Sequence, residues 1–177
     1  MEKEKLLERL VDEFLQDNNE ESFAQILSLI CEDVINLAYS FTYNLEDAKD
    51  IFQEVSLKIY RGLKKFKKKA KVTSWIYRIT VNASIDYLRK RKSFSGLEEK
   101  YIKSSDSVSN IEKKDKEMIL KKAVERLPPQ QKKVFILRHY HHFKIRKISQ
   151  ILGCSESSVK THLVRAIENL RRLVKCV

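Results

Sequence analysis

The chain is poor in the residues that interrupt helices. Three glycines and two prolines in 177 residues leave little material for tight turns. The long stretches repeat near 3.6 and show no clear strand alternation, which predicts an all-α protein with short connections. Cysteine is scarce too: Cys31, Cys154 and Cys176 form an odd set with no close pair, which supports neither a disulfide framework nor a cysteine-based zinc knuckle. No apolar run reaches the roughly 18 residues of a spanning helix. The acidic start, Met1-Glu2-Lys3-Glu4-Lys5, lacks the apolar core of a signal peptide. A cytoplasmic protein without membrane insertion is therefore expected. Hydrophobic content of 42% is nonetheless enough for a folded core, in one medium domain or two small ones.

What the chain has in excess is positive charge, and it is unevenly placed. The net charge is +12. Residues 1–60 hold five Lys and Arg against fourteen Asp and Glu, a net of −9, whereas residues 61–92 reach +11, residues 93–127 only +1 and residues 128–177 +9. Two basic regions and one acidic region suggest two places that meet phosphate and one surface that meets something else. His139, His141 and His142 lie close together, but their spacing lacks the carboxylate or thiol partners of a metal site; a hydrated, partly stacking helix end is the favoured reading.

Along the chain, Leu6, Leu7, Leu10, Val11, Phe14 and Leu15 make one apolar helical stripe, and Phe23, Ile26, Leu27, Ile30, Val34, Leu37, Ala38 and Phe41 make a second. A third helix is expected from about Glu46, with Ile51, Phe52, Val55, Ile59 and Leu63 inward and Asp47, Asp50 and Glu54 outward. The run Lys64-Lys65-Phe66-Lys67-Lys68-Lys69-Ala70-Lys71 is too charged to pack and leads into a fourth helix, expected to start at Thr73 or Ser74, that carries Trp75 and Tyr77 and ends in Arg89-Lys90-Arg91-Lys92. Aromatic rings among so many cations suit a surface where unpaired bases stack and phosphates are neutralised. Residues from Ser93 to Asn110 show no sustained period and read as a flexible linker. Periodicity resumes near Ile111, breaks at Pro128-Pro129, and restarts through Val134, Leu137 and Tyr140; Pro129 suits a first helical turn.

Residues 145 to 170 spell two short amphipathic helices about a glycine turn, the pattern of a DNA-reading helix-turn-helix. Ile145, Ile148, Ile151 and Leu152 share one face of the first helix; Gly153 permits the positive φ of the turn, and Ser155 can cap the second helix. Val159, Leu163, Ala166, Ile167 and Leu170 line its core side. At about 100° per residue, Ser157, Thr161, Val164 and Arg165 point the other way, flanked by Lys160 and His162.

With both helical modules placed, the sequence resembles the extracytoplasmic-function (ECF, group IV) sigma factors of bacterial RNA polymerase. Three blocks carry the resemblance: Asp47-Ala48-Lys49-Asp50-Ile51-Phe52-Gln53-Glu54-Val55; Ser74-Trp75-Ile76-Tyr77-Arg78-Ile79-Thr80-Val81-Asn82 followed by Ile85-Asp86-Tyr87-Leu88-Arg89; and Leu127-Pro128-Pro129-Gln130-Gln131 before the helix-turn-helix. The resemblance implies two small helical domains: a region 2-like domain over residues 1–92 and a region 4-like helix-turn-helix domain over 113–177, with a flexible linker at 93–112. It implies that Asp50, Gln53 and Glu54 grip a coiled coil on the largest subunit of core RNA polymerase. Phe66, Lys67, Lys71, Trp75, Tyr77, Arg78 and Asn82 are expected to melt the downstream (−10) promoter element and hold a flipped base. Ser158, Lys160, Thr161, Val164 and Arg165 are expected to read the upstream (−35) element as duplex. No catalytic residue, cofactor or metal is implied, and an anti-sigma protein is a further candidate partner. Here Lys67 to Lys69 stand where the family often has Gly and Asp, and Arg146 and Lys147 where it usually has acids.

Two other readings compete. An autonomous helix-turn-helix regulator, binding duplex DNA without polymerase, explains only residues 128–177, and no phospho-acceptor Asp after an apolar strand is visible. A metal-dependent nuclease built on Asp47, Asp50 and Glu54 has the helical spacing, but a solvated or partner-binding ridge is the commoner outcome of such spacing.

Overall fold

The computed structural model describes residues 2–17, 19–66, 70–95 and 111–175. Among them the chain forms eight α-helices and no strand: α1 (Glu2–Asp17), α2 (Glu20–Thr42), α3 (Leu45–Leu63), α4 (Val72–Ser95), α5 (Ile111–Glu125), α6 (Pro129–His139), α7 (Ile145–Leu152) and α8 (Glu156–Lys175). The all-α expectation holds, and the chain divides into two compact units, the first built mainly on α1–α4 and the second mainly on α5–α8.

In the first unit the turns are set by side-chain caps. Asn19 Oδ1 accepts the Glu21 N–H at 2.9 Å at the start of α2, where Glu20 and Glu21 also complement the helix dipole. Tyr43 closes α2 in the left-handed region at φ 52°, and Asn44 then accepts the Asp47 N–H at 3.0 Å to open α3. These two residues suffice to connect α2 and α3, and α2 packs against both α1 and α3. Leu7, Leu10, Val11 and Phe14 of α1, Ile26, Ile30 and Val34 of α2, Ile51, Val55, Ile59 and Leu63 of α3, and Val72, Ile76 and Ala83 of α4 form one apolar core. Leu6 and Leu15, at the edges of the α1 stripe, remain exposed, because the partner surface covers less than the full width of that stripe. Buried hydroxyls on α4 are satisfied locally: Thr80 Oγ1 donates to the Ile76 carbonyl at 3.0 Å and Ser84 Oγ to the Thr80 carbonyl at 2.9 Å.

The second unit buries Ala123, Val124 and Leu127 with Val134, Phe135, Ile136 and Leu137. Pro129 occupies the first turn of α6, where its missing N–H removes no helical bond. Lys132 is buried yet satisfied, its Nζ donating to the Glu125 carbonyl at 3.0 Å and so neutralising the C-terminal end of α5. Asn169 Nδ2 donates to Gln131 Oε1 at 2.6 Å, joining α8 to α6.

Two boundaries differ from expectation. Helix α4 begins at Val72 and runs on to Ser95; adding a residue to a formed helix requires far less than starting one. Residues 96–110, the middle of the expected linker, lie outside the described residues.

Candidate nucleic-acid interface

In the first unit, Phe66 and the start of α4 form an aromatic pair. After α3 the chain turns, with the Phe66 N–H donating to the Leu63 carbonyl at 2.9 Å, which sets the Phe66 ring beside Trp75 with centroids 5.0 Å apart and tilted by 40°. Trp75 lies directly on the backbone of Gly62: a Cβ built there would stand 2.7 Å from Trp75 Cζ2. Gly62 is thus the residue that lets the indole lie against α3. Counted along α4 at about 100° per residue, Trp75, Arg78 and Asn82 share one side and Tyr77 points nearly opposite. Asn82 is exposed.

Tyr77 is engaged elsewhere in the unit. Its hydroxyl is hydrogen-bonded to the Asp33 side chain, and burial, reinforced by the negative charges of Asp33 and Glu4, pushes its pKa up to about 12. Asp33 also takes an ion pair from Lys3 at 2.9 Å. Next to Lys3 in the chain, Glu4 bridges two groups at the start of α4, accepting from Lys71 Nζ at 2.9 Å and from Thr73 Oγ1 at 3.2 Å. Its carboxylate sits where the positive end of the α4 dipole favours a negative charge. The structure therefore brings together Phe66, Lys71 and Trp75 near the start of α4 and does not bring Tyr77 to them; Lys67 lies outside the described residues. Glu4 and Asp33 were not legible as partners, since nothing local links them to residues about seventy and forty positions away.

On α3, Asp50 and Gln53 are exposed and Glu54 is half-buried, and Glu54 pairs with Lys58 at 2.6 Å. Asp47 departs from the outward expectation: it is half-buried and accepts the Tyr87 hydroxyl at 2.8 Å, which fastens α3 to α4. Leu57, one turn beyond Gln53, is 59% exposed and gives the same ridge an apolar end; a lone leucine outside the core stripe was the available signal. Among the described residues, no cluster of three His, Cys, Asp or Glu is arranged to hold a metal ion.

At the helix-turn-helix, Gly153 takes φ +68° and the Cys154 N–H donates to the Ser149 carbonyl at 3.2 Å, the six-to-one bond of a Schellman ending to α7. Ser155 then caps α8, its Oγ accepting the Ser158 N–H at 3.1 Å. The Ser158 hydroxyl is drawn to the same cap, 2.9 Å from Ser155 Oγ. Val159, Ala166 and Leu170 are buried beneath α8, whereas Ser157, Lys160, Thr161, Val164 and Arg165 are exposed. Thr161 Oγ1 donates back to the Ser157 carbonyl at 3.0 Å. Among the described residues, neither Lys160 nor Arg165 forms an ion pair.

These two units are those of a known class of transcription protein. Sigma-70 region 2 matches residues 32–94, and Sigma-70, region 4 matches residues 117–170. The RNA polymerase sigma factor SigV of Bacillus subtilis is 32% identical over 140 residues, covering 79% of this chain and 83% of that protein. The ECF RNA polymerase sigma factor SigW of the same organism is 24% identical over 177 residues, covering 91% and 93%. In fold, the chain is similar to the sigma factor RpoE of Bartonella quintana, solved in complex with the anti-sigma factor NepR, with a TM-score of 0.61 and 23% identity over 88% of this chain and 98% of that one. The chain belongs to the extracytoplasmic-function class of RNA polymerase sigma factors, which recognise promoters.

Proposed function

We propose that the chain joins core RNA polymerase through the α3 ridge, reads the upstream promoter element as duplex through α8, and opens the downstream element at the start of α4. In this reading residues 1–92 and 113–177 are the two working domains, with the segment at 93–112 as the connection between them. Asp50, Gln53 and Glu54, extended by Leu57, face the coiled coil of the largest polymerase subunit. Lys67, Lys71 and Arg78 neutralise the backbone of the opened strand, while Phe66, Trp75 and Asn82 meet the unpaired base. Tyr77 contributes by tying α4 to Asp33. On α8, Lys160 and Arg165 flank Thr161 and Val164, and Ser158 holds the helix cap behind them.

The observation that carries this reading is the Phe66–Trp75 platform beside a basic segment. Both rings pack against the core of the first unit yet stay only half-buried, which leaves part of each for an unpaired base. A base removed from its stack loses a few kcal/mol, and an aromatic neighbour returns about 1–3 kcal/mol per base. The work is binding and positioning with no covalent step, so the chain acts as a specificity factor and not as an enzyme. No described helix is long and apolar enough to cross a membrane, which is compatible with work alongside polymerase in the cytoplasm. The complex of the Bartonella factor with an anti-sigma protein makes a similar inhibitor a candidate partner here.

Transcription in vitro with purified core polymerase on a library of genomic promoters tests the whole reading. Promoter-specific transcripts that require the chain are expected. Specific duplex binding that neither needs nor responds to core enzyme would instead indicate an autonomous regulator.

A further inference from the structure

We propose that Val164, seconded by the methyl group of Thr161, reads the 5-methyl group of a thymine in the upstream duplex element. This rests on the reading of α8 as the helix that enters the major groove, and it assigns that helix a chemical target. Val164 is 56% exposed and lies outside the stripe that buries Val159, Ala166 and Leu170. Valine is a weaker helix former than alanine or lysine, so neither packing nor propensity accounts for it there. Thr161, one turn earlier, commits its hydroxyl to the Ser157 carbonyl at 3.0 Å. That spends its one donor hydrogen, so what it has left for a partner is its methyl and the acceptor lone pairs of its oxygen.

The two methyl-bearing side chains form a narrow apolar strip on a polar face, with Ser157 and Glu168 exposed at its ends and the cations Lys160 and Arg165 exposed beside it. A protein partner would be expected to meet a broader apolar patch. A strip one side chain wide between two cations suits a polyanion carrying a small apolar feature. In the major groove of unmodified DNA that feature is the thymine 5-methyl, since the other base edges there present hydrogen-bonding groups alone. Removing one methyl from such a contact forfeits about 0.8 kcal/mol, a factor of about four in affinity.

The test uses holoenzyme reconstituted from the full chain and core RNA polymerase, allowed to enrich duplexes from a random library. Each thymine of the enriched upstream element is then replaced singly by deoxyuridine, which deletes the methyl and keeps the hydrogen-bonding edge. At one thymine or two neighbouring ones, the replacement should weaken binding about fourfold. Val164→Ala should bring the two bases within about twofold of each other there, Thr161→Ser should lessen the same preference, and Lys160→Ala should weaken both DNAs alike. An enriched element in which no thymine is sensitive to its methyl overturns the proposal and leaves upstream recognition standing. A sensitivity that persists unchanged in both Val164→Ala and Thr161→Ser assigns the contact to another residue and also overturns it. Failure to enrich any upstream element removes the underlying reading together with the proposal.

Discussion

A methyl group added at Gly62 would stand 2.7 Å from the Trp75 ring, and the ring is backed by Phe66 with centroids 5.0 Å apart. Gly62→Ala therefore sets a helix-propensity gain of about 1 kcal/mol against an overpacking loss of about 1–3 kcal/mol. Since an indole is rigid, the ring is expected to swing away from α3. Trp75 is the one tryptophan of the chain, so its emission should move to the red; unchanged emission with a full gain in stability would sink this account. Tyr77 offers a second test at the same scale. Its hydroxyl bond to Asp33 holds only while the phenol is protonated, and its pKa is raised from 10.0 to about 12. The stabilisation it confers is complete below the unfolded value near 10 and disappears as the pH climbs through 12. Tyr77→Phe should remove about 1 kcal/mol at neutral pH, and its deficit relative to the natural chain should shrink between pH 10 and 12. A deficit that stays constant across that interval would exclude the titration as its source.

Elements built on local chemistry were the ones legible in the sequence. Gly153 needs its positive φ, Ser155 caps α8 by accepting the Ser158 N–H, and Pro129 sits in the first turn of α6; each signal acts within a few residues of where it is written. The core stripes of α2 and α3 were equally plain, because periodicity reports which face is buried. The latches between helices were not. Glu4 with Lys71 and Thr73, Tyr77 with Asp33, and Asp47 with Tyr87 join polar residues dozens of positions apart, and a carboxylate on a helix carries no sequence mark that separates a latch from solvated surface. Asp47 looked as outward as Asp50 for that reason. The local origin of the α8 cap makes a direct prediction: Ser155→Ala should destabilise the start of that helix by about 1 kcal/mol. Hydrogen exchange of the Ser158 and Val159 amides should quicken about fivefold while the α2 amides keep their protection. Equal acceleration in α2 would mean that the variant loosens the chain generally.

Across the whole chain, charge separates two tasks that must not compete. Residues 1–60 carry −9 and residues 128–177 carry +9; under the proposed assignment a polyanion is repelled where the polymerase contact is placed and attracted where α8 presents its cations. The exposed Asp50 and half-buried Glu54 are expected to have little part in duplex binding. Double charge reversal, Asp50→Lys with Glu54→Lys, should then weaken capture of core polymerase at least tenfold with helix content unchanged. Duplex affinity of the free chain should hold or rise, since two more cations increase the counterions released on binding. Lys160→Ala should do the reverse, leaving core capture intact and lowering the salt dependence of duplex binding by about one unit in the log–log slope if that lysine meets a phosphate. The two variants thus exchange phenotypes under one change of assay. If charge reversal on α3 lowered duplex affinity and spared core capture, the acidic ridge would belong to the DNA path, and the division of labour drawn from the charge distribution would be wrong.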